Sequence, residues 1–286
     1  MKQSFINYIN LTRINRPIGI GLLFLPCLFG IFLAEKKSYL DFTKTFWMIF
    51  LFAFGSVIMR SAGCILNDIF DKKFDRQIER TKNRPLASGQ INQREALILL
   101  FILLIIGLLI LLQFNFLTIM SGFFALTLAA IYPLMKRITY YPQVFLGLAF
   151  NFGIIMANLA TRSQINFSFI ILYFAAIIWT LIYDTIYAYQ DIEDDLKIGV
   201  KSSAIKFGKN PKNTLLALSL LMFLALFFVG FFESLNWRFF LISASAFFLL
   251  AQKIITCDFS NAQNCLKVFK ENFWIGALIS IGIFLG

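Results

Sequence analysis

The chain has 286 residues, 59% of them hydrophobic and only 14% charged, with 36 phenylalanines and a mean hydropathy of +0.77. A soluble domain is roughly half apolar and about a quarter charged, so the composition excludes a water-soluble globular protein. It implies an all-α, polytopic membrane protein of one domain spanning 1–286, because no polar stretch is long enough to build a second. The net charge of +11 does not signal nucleic-acid binding, since the basic residues gather in particular loops between apolar stretches, as orientation in a bilayer requires.

The first residues, MKQSFINYINLTRINRPIG, lack the short apolar core and small-residue cleavage site of a secretory signal. A membrane-crossing helix needs about 20 mostly apolar residues. Nine stretches qualify: 17–34, 45–66, 96–113, 116–134, 143–161, 167–189, 213–232, 237–256 and 272–286. The third and fourth are separated by only a few residues around Gln113 to Phe116, which predicts a tight helical hairpin. Of the 26 Lys and Arg, with those at span ends counted with the adjacent loop, 20 belong to the N-terminus and the loops after even-numbered spans, five belong to the other side, and Arg60 falls inside the second span. This asymmetry places the N-terminus and the basic loops in the cytoplasm and the C-terminus opposite. The four cysteines, Cys27, Cys64, Cys257 and Cys265, form no CxxC, and there is no histidine. That argues against zinc, His-ligated haem and a Ser-His-Asp triad.

Two loops carry the acidic residues. In the first, Asn67, Asp71 and Asp75 are four apart and share one face if the segment is helical, with Asp68 a little to the side. In the second, Asp184, Asp191 and Asp195 are spaced seven and four apart. Each array continues its span without a turn signal and is followed by a basic stretch with Ser and Gly. The two arrays, at 67–75 and 184–195, read as a weak internal duplication that makes spans two and six face each other. Facing carboxylates suit Mg²⁺, which binds a few carboxylates together with phosphate oxygens. Arg80, Lys82, Arg84, Lys197 and Lys201 are placed to hold the remaining oxygens of a diphosphate. The bland alternative is two solvated charged loops.

The run MRSAGCILNDIFDKKFDRQIERTKNRPLASG resembles the NDxxDxxxD signature and RTxxRPLxSG tail of the UbiA-type intramembrane prenyltransferases. YDTIYAYQDIEDDLKIGVKSSAIKFG is similar to their second aspartate motif. RPIGIGLLFLP and YPLMKRITYYPQVFLGLAFN resemble the branch that acts on 4-hydroxybenzoate in ubiquinone synthesis. The resemblance spans essentially the whole chain. It implies an enzyme that moves a polyprenyl group from polyprenyl diphosphate to the ring carbon ortho to the hydroxyl, with Mg²⁺ as cofactor, in a bacterial inner membrane. On this reading Asn67, Asp68, Asp71, Asp75, Asp191 and Asp195 hold metal and diphosphate, and Lys136 joins the diphosphate-binding cations. Arg137, Arg16, Arg60 and Asp184 are candidates for the acceptor pocket. Asp71 and Asp191 are the catalytic carboxylates, Asp191 being the choice for taking the proton. Other acceptors in the same family (dihydroxynaphthoate, homogentisate, haem B) remain alternatives. So does a cation-coupled transporter, which intramembrane acids and an internal repeat could mark.

Overall fold

The computed structural model describes residues 2–38, 41–162 and 165–286, and among these every regular element is helical. In chain order the helices are α1 (Lys2–Thr12), α2 (Ile18–Ser38), α3 (Phe42–Asp75), α4 (Gln93–Leu111), α5 (Phe116–Ile138), α6 (Pro142–Phe150) and α7 (Gly153–Arg162). They continue with α8 (Phe167–Ala188), α9 (Ile192–Ile198), α10 (Ser203–Phe207), α11 (Lys212–Phe232), α12 (Trp237–Thr256) and α13 (Ala262–Leu285). Among the described residues nine spans are long and apolar enough to cross a membrane, with α6 and α7 counting as one. The chain is a multi-pass membrane protein.

The spans sit where hydropathy put them, with three differences. The last begins at Ala262 and not near 272, because Asn261 caps its polar first turns by accepting from the amides of Gln263 and Asn264. A hydropathy window registers only the apolar part of such a helix. The fifth breaks at Asn151 and Phe152, where Asn151 Nδ2 donates to Thr180 Oγ1 at 2.8 Å and to the carbonyl of Gly147 at 2.7 Å. These bonds, and Tyr173 Oη to the Leu148 carbonyl at 2.6 Å, supply partners for polar groups near the break. The third difference is α1, whose short, weakly apolar sequence gave no span signal. Its Leu11 is fully buried in a small core with Ile58, Ile65, Leu86 and Ile91.

Two helix ends position the site. Helix α3 has 34 residues, a length of about 51 Å against a hydrocarbon thickness of about 30 Å. Roughly its last 14 residues therefore project past the apolar core, and Asn67, Asp71 and Asp75 lie in that projection. Helix α8 ends at Ala188, passes through a 3₁₀ turn over Tyr189–Asp191 and resumes as α9. The second array is thus carried on three pieces and not on one helix.

The bundle is closed by contacts of α2 with α3, α7 and α13, of α8 with α6, α11 and α13, and of α5 with α3, α6 and α7. Small residues permit the closest approaches. A β-carbon at Gly30 would lie 2.8 Å from the Ile154 carbonyl oxygen, and one at Gly276 would lie 2.5 Å from the Trp179 ring. Trp179 is buried, and its Nε1 donates to Asn272 Oδ1 at 3.1 Å, tying α8 to α13. Replacing Gly30 by Leu should push α2 off α7 and destabilise the protein by about 1–3 kcal/mol. A lower unfolding midpoint in detergent, with Ala at an exposed lipid-facing site as the control, checks this.

Candidate functional site

A cavity of about 1290 Å³ lies between α2, α3, α5, α6 and α8. Its polar end is lined by both acidic arrays, and an apolar limb continues between α3, α4 and α5 past Met59, Leu104 and Leu108 to Leu111 and Phe114. Nine basic and five acidic side chains line it. That surplus of positive charge suits a polyanion and is the wrong sign for a cation pathway.

On α3 the predicted spacing holds. Asn67, Asp71 and Asp75 line the cavity, and Asn67 Nδ2 donates to Asp71 Oδ2 at 3.0 Å. Lys136, at the end of α5, reaches the same oxygen from across the cavity at 3.0 Å. Arg84 Nη1 donates to Asp75 Oδ2 at 2.8 Å. On the facing side Asp184, Asp191 and Asp195 all line the cavity. Arg80 grips both oxygens of Asp191, with Nε at 2.8 Å from Oδ1 and Nη2 on Oδ2, while its Nη1 donates to Tyr187 Oη at 2.9 Å. Burial works against the charge on Arg80, but Tyr187 and Asp191 outweigh it and hold its pKa above the usual guanidinium value. The first loop thereby ties the end of α3 to the end of α8.

This loop, 76–92, is not simply a solvated charged loop. Thr81, Leu86, Ala87 and Ile91 are buried. Thr81 Oγ1 donates to the Asp75 carbonyl at 3.0 Å and Arg76 Nε to the Ala87 carbonyl at 2.9 Å. An Asn92–Glu95 capping box then starts α4. The second loop docks as well. Ser203 Oγ pairs with Thr185 Oγ1 at 2.6 Å, and the Lys201 amide donates to the Lys136 carbonyl at 2.9 Å.

Several expected residues stand elsewhere. Asp68 is 2% exposed and does not line the cavity; Arg13 and Arg84 hold it. In this structure its partners are cations. Lys82 pairs with Glu79, and Lys197 is 72% exposed and pairs with Asp194; neither lines the cavity. Each is held by an acidic neighbour three residues earlier in the chain. Asp191, expected to take a proton, has both oxygens engaged by Arg80. Lys201 does line the cavity, with Nζ 3.1 Å from the Ile138 carbonyl oxygen and over the Tyr140 ring.

Of the acceptor candidates, Arg137 is exposed, donates to the Phe70 carbonyl at 3.2 Å and stacks over Phe74. Arg16 is exposed at the rim. Arg60 lies deeper, over the Phe150 ring at 5.5 Å and against Gly19, where a β-carbon would come within 2.6 Å of its Nε. Among the described residues neither Arg60 nor Asp184 makes an ion pair within 4.0 Å. Two residues were missed by the sequence reading: Tyr132, one turn before Lys136 on the cavity wall, and Arg13. The i,i+4 spacing to Lys136 could have found the first; no local pattern marks the second.

The donor set consists of hard oxygens: the Asn67 amide and the carboxylates of Asp71, Asp75, Asp191 and Asp195. Among the described residues no three acidic or cysteine side chains converge as a ready-made cage, since basic side chains space them. Magnesium sites commonly take this form, with few protein ligands and coordination completed by substrate phosphates and water. The residues therefore fit Mg²⁺ bound together with a diphosphate.

The model of the UbiA prenyltransferase family matches residues 23–278. A 4-hydroxybenzoate octaprenyltransferase of Psychromonas ingrahamii is 43% identical over 100% of this chain and 98% of its own. The mitochondrial 4-hydroxybenzoate polyprenyltransferase of Drosophila pseudoobscura pseudoobscura is 42% identical over 98% of this chain and 70% of its own. Among solved structures, a UbiA homolog from Archaeoglobus fulgidus bound to GPP and Mg²⁺ has the same fold, with a TM-score of 0.73 and 19% identity over 97% of this chain and 98% of its own.

The Arg80 bridge makes a structural prediction. Arg80→Ala should raise amide hydrogen exchange in both 77–83 and 187–195, because one side chain holds the two segments together. Faster exchange in the first segment alone would show that Asp191 and Tyr187 do not depend on it.

Proposed function

Because the chain belongs to the UbiA prenyltransferase family, we propose that it is a 4-hydroxybenzoate polyprenyltransferase, moving a polyprenyl group from its diphosphate to the ring carbon ortho to the acceptor hydroxyl. The observation that carries this reading is one cavity with three joined environments: a net-positive, carboxylate-bearing mouth, Arg60 below it without an ion pair among the described residues, and an apolar limb leading away.

The diphosphate lies at the mouth. Lys136, Arg80, Arg84 and Lys201 bind its oxygens, exchanging their present carboxylate or carbonyl partners for phosphate. Asn67, Asp71, Asp75, Asp191 and Asp195 would hold Mg²⁺, which when bound neutralises charge on the departing diphosphate. The isoprenoid chain follows the apolar limb between α3, α4 and α5. Arg60 receives the acceptor carboxylate, which buried without a cation would be costly. This places the aromatic ring between Arg60 and the mouth, among Tyr132, Phe150 and Tyr187, whose faces shelter positive charge on the allylic carbon. The allylic C–O bond breaks, a C–C bond forms at the ring, and the ring carbon's proton leaves. Asp184 is placed to take it, because it lines the cavity without an ion-pair partner among the described residues, whereas Asp191 would be engaged with Mg²⁺.

The acceptor class rests on Arg60 and on relatives named for 4-hydroxybenzoate. The excess of Lys and Arg at the mouth end puts that end and the N-terminus in the cytoplasm and the C-terminus opposite, in a bacterial cytoplasmic membrane.

Purified protein incubated with Mg²⁺, a polyprenyl diphosphate and a panel of aromatic acids should yield a prenylated 4-hydroxybenzoate by mass spectrometry. Folded protein that gives no product with any acceptor would sink this reading. Chelation should stop turnover and Mg²⁺ should restore it. Asp71→Asn and Asp195→Asn should each lower kcat/KM by about 100-fold or more. Arg60→Ala should raise KM for 4-hydroxybenzoate by about tenfold or more and leave that for the diphosphate nearly unchanged. If instead KM for both substrates rises together, Arg60 does not select the acceptor.

A further inference from the structure

Arg13 follows the last residue of α1 with φ of +56°, a left-handed backbone uncommon outside glycine, and its carbonyl accepts from the Arg16 amide at 2.9 Å. Strained positions of this kind persist where the surroundings over-determine them. Here α1 is anchored through Leu11 and Tyr8 against α3 and the first loop, and the turn aims the Arg13 side chain at Asp68. Asp68 is 2% exposed, and the same oxygen, Oδ1, lies 3.2 Å from Arg84 Nη1. That Nη1 also donates to Asp75 Oδ2 at 2.8 Å. Arg13, Asp68, Arg84 and Asp75 thus form one line from α1 to the cavity wall. Arg84 spends a single nitrogen on both carboxylates. Its Nε and Nη2 have no protein hydrogen-bond partner among the described residues, and Arg84 lines the cavity.

We propose that Arg13 is a positioning residue: by neutralising buried Asp68 it releases Arg84 to bind the diphosphate. The inference rests on the diphosphate reading of the cavity. A carboxylate this buried needs a countercharge, and losing its only cation is strongly destabilising. With Arg13 in place, Arg84 can turn from Asp68 towards phosphate oxygens without stranding that charge. Without Arg13, Arg84 is the one remaining cation in contact with Asp68 among the described residues and is held there. The N-terminal helix, outside the bundle, in this way governs a cation of the first motif.

The test uses the full chain in detergent and two readouts, affinity for inorganic pyrophosphate with Mg²⁺ by calorimetry and steady-state kinetics with polyprenyl diphosphate. Arg13→Gln should weaken pyrophosphate binding by about tenfold and raise KM for the diphosphate with little change in kcat. The double variant Arg13→Gln/Asp68→Asn should recover most of that affinity, since no buried anion is left to retain Arg84. Arg13→Lys, which keeps the charge and guards against simple misfolding, should bind nearly as the unaltered protein does. A double variant as weak as Arg13→Gln, or a Lys variant as weak as the Gln variant, overturns the proposal and makes Arg13 a direct ligand or a packing residue. Absence of pyrophosphate binding in the unaltered protein overturns the diphosphate reading, and this proposal with it.

Discussion

Carboxylates on two separate helix ends are held by cations that come from somewhere else in the chain. Asp71 is met by Lys136 of α5, Asp75 and Asp68 by Arg84 of the first loop, and Asp191 by Arg80 of the same loop. Like charges gathered around one cavity would repel one another. The cross-pairing turns that repulsion into the contacts that assemble the mouth of the cavity. The same cations are the groups that a diphosphate would claim, so ligand binding and local structure draw on one set of charges.

The bundle beneath exists to hold these ends in register. Its interior is not uniformly apolar. Asn151, Thr180 and Tyr183 form a buried hydrogen-bonded set at the α6–α7 break, and Trp179 is bonded to Asn272 between α8 and α13. In a membrane such bonds and close packing at small residues replace the hydrophobic effect as the force between helices. Asp184 follows Tyr183 of this polar set directly on α8.

The cavity changes character along its length. The mouth is charged, Arg60 marks a middle level against Phe150, and the limb between α3, α4 and α5 is apolar. A substrate with a charged head and a long hydrocarbon tail matches this gradient. The gradient follows from the length of α3: the helix passes through the bilayer and continues beyond it, so one face changes from Gly55 and Met59 to Asn67 and Asp75 within a few turns.

The amino-acid sequence determined the nine spans seen among the described residues, the projecting acidic face of α3 and the oxygen-donor side chains of Asn67, Asp71, Asp75, Asp191 and Asp195. Hydropathy and helical period are local properties, and each of these is a local pattern. Only the tertiary structure decided which charges meet. It turned Asp68 away to Arg13, gave Lys82 and Lys197 to neighbouring acids, committed Asp191 to Arg80, and left Arg60 and Asp184 without ion pairs among the described residues. It also revealed α1, the break between α6 and α7, and the packed state of the first loop, whose Leu86 and Ile91 are buried against partners far away in the chain. Ion pairing and burial depend on distances between elements remote in sequence, and no spacing along the chain encodes those distances.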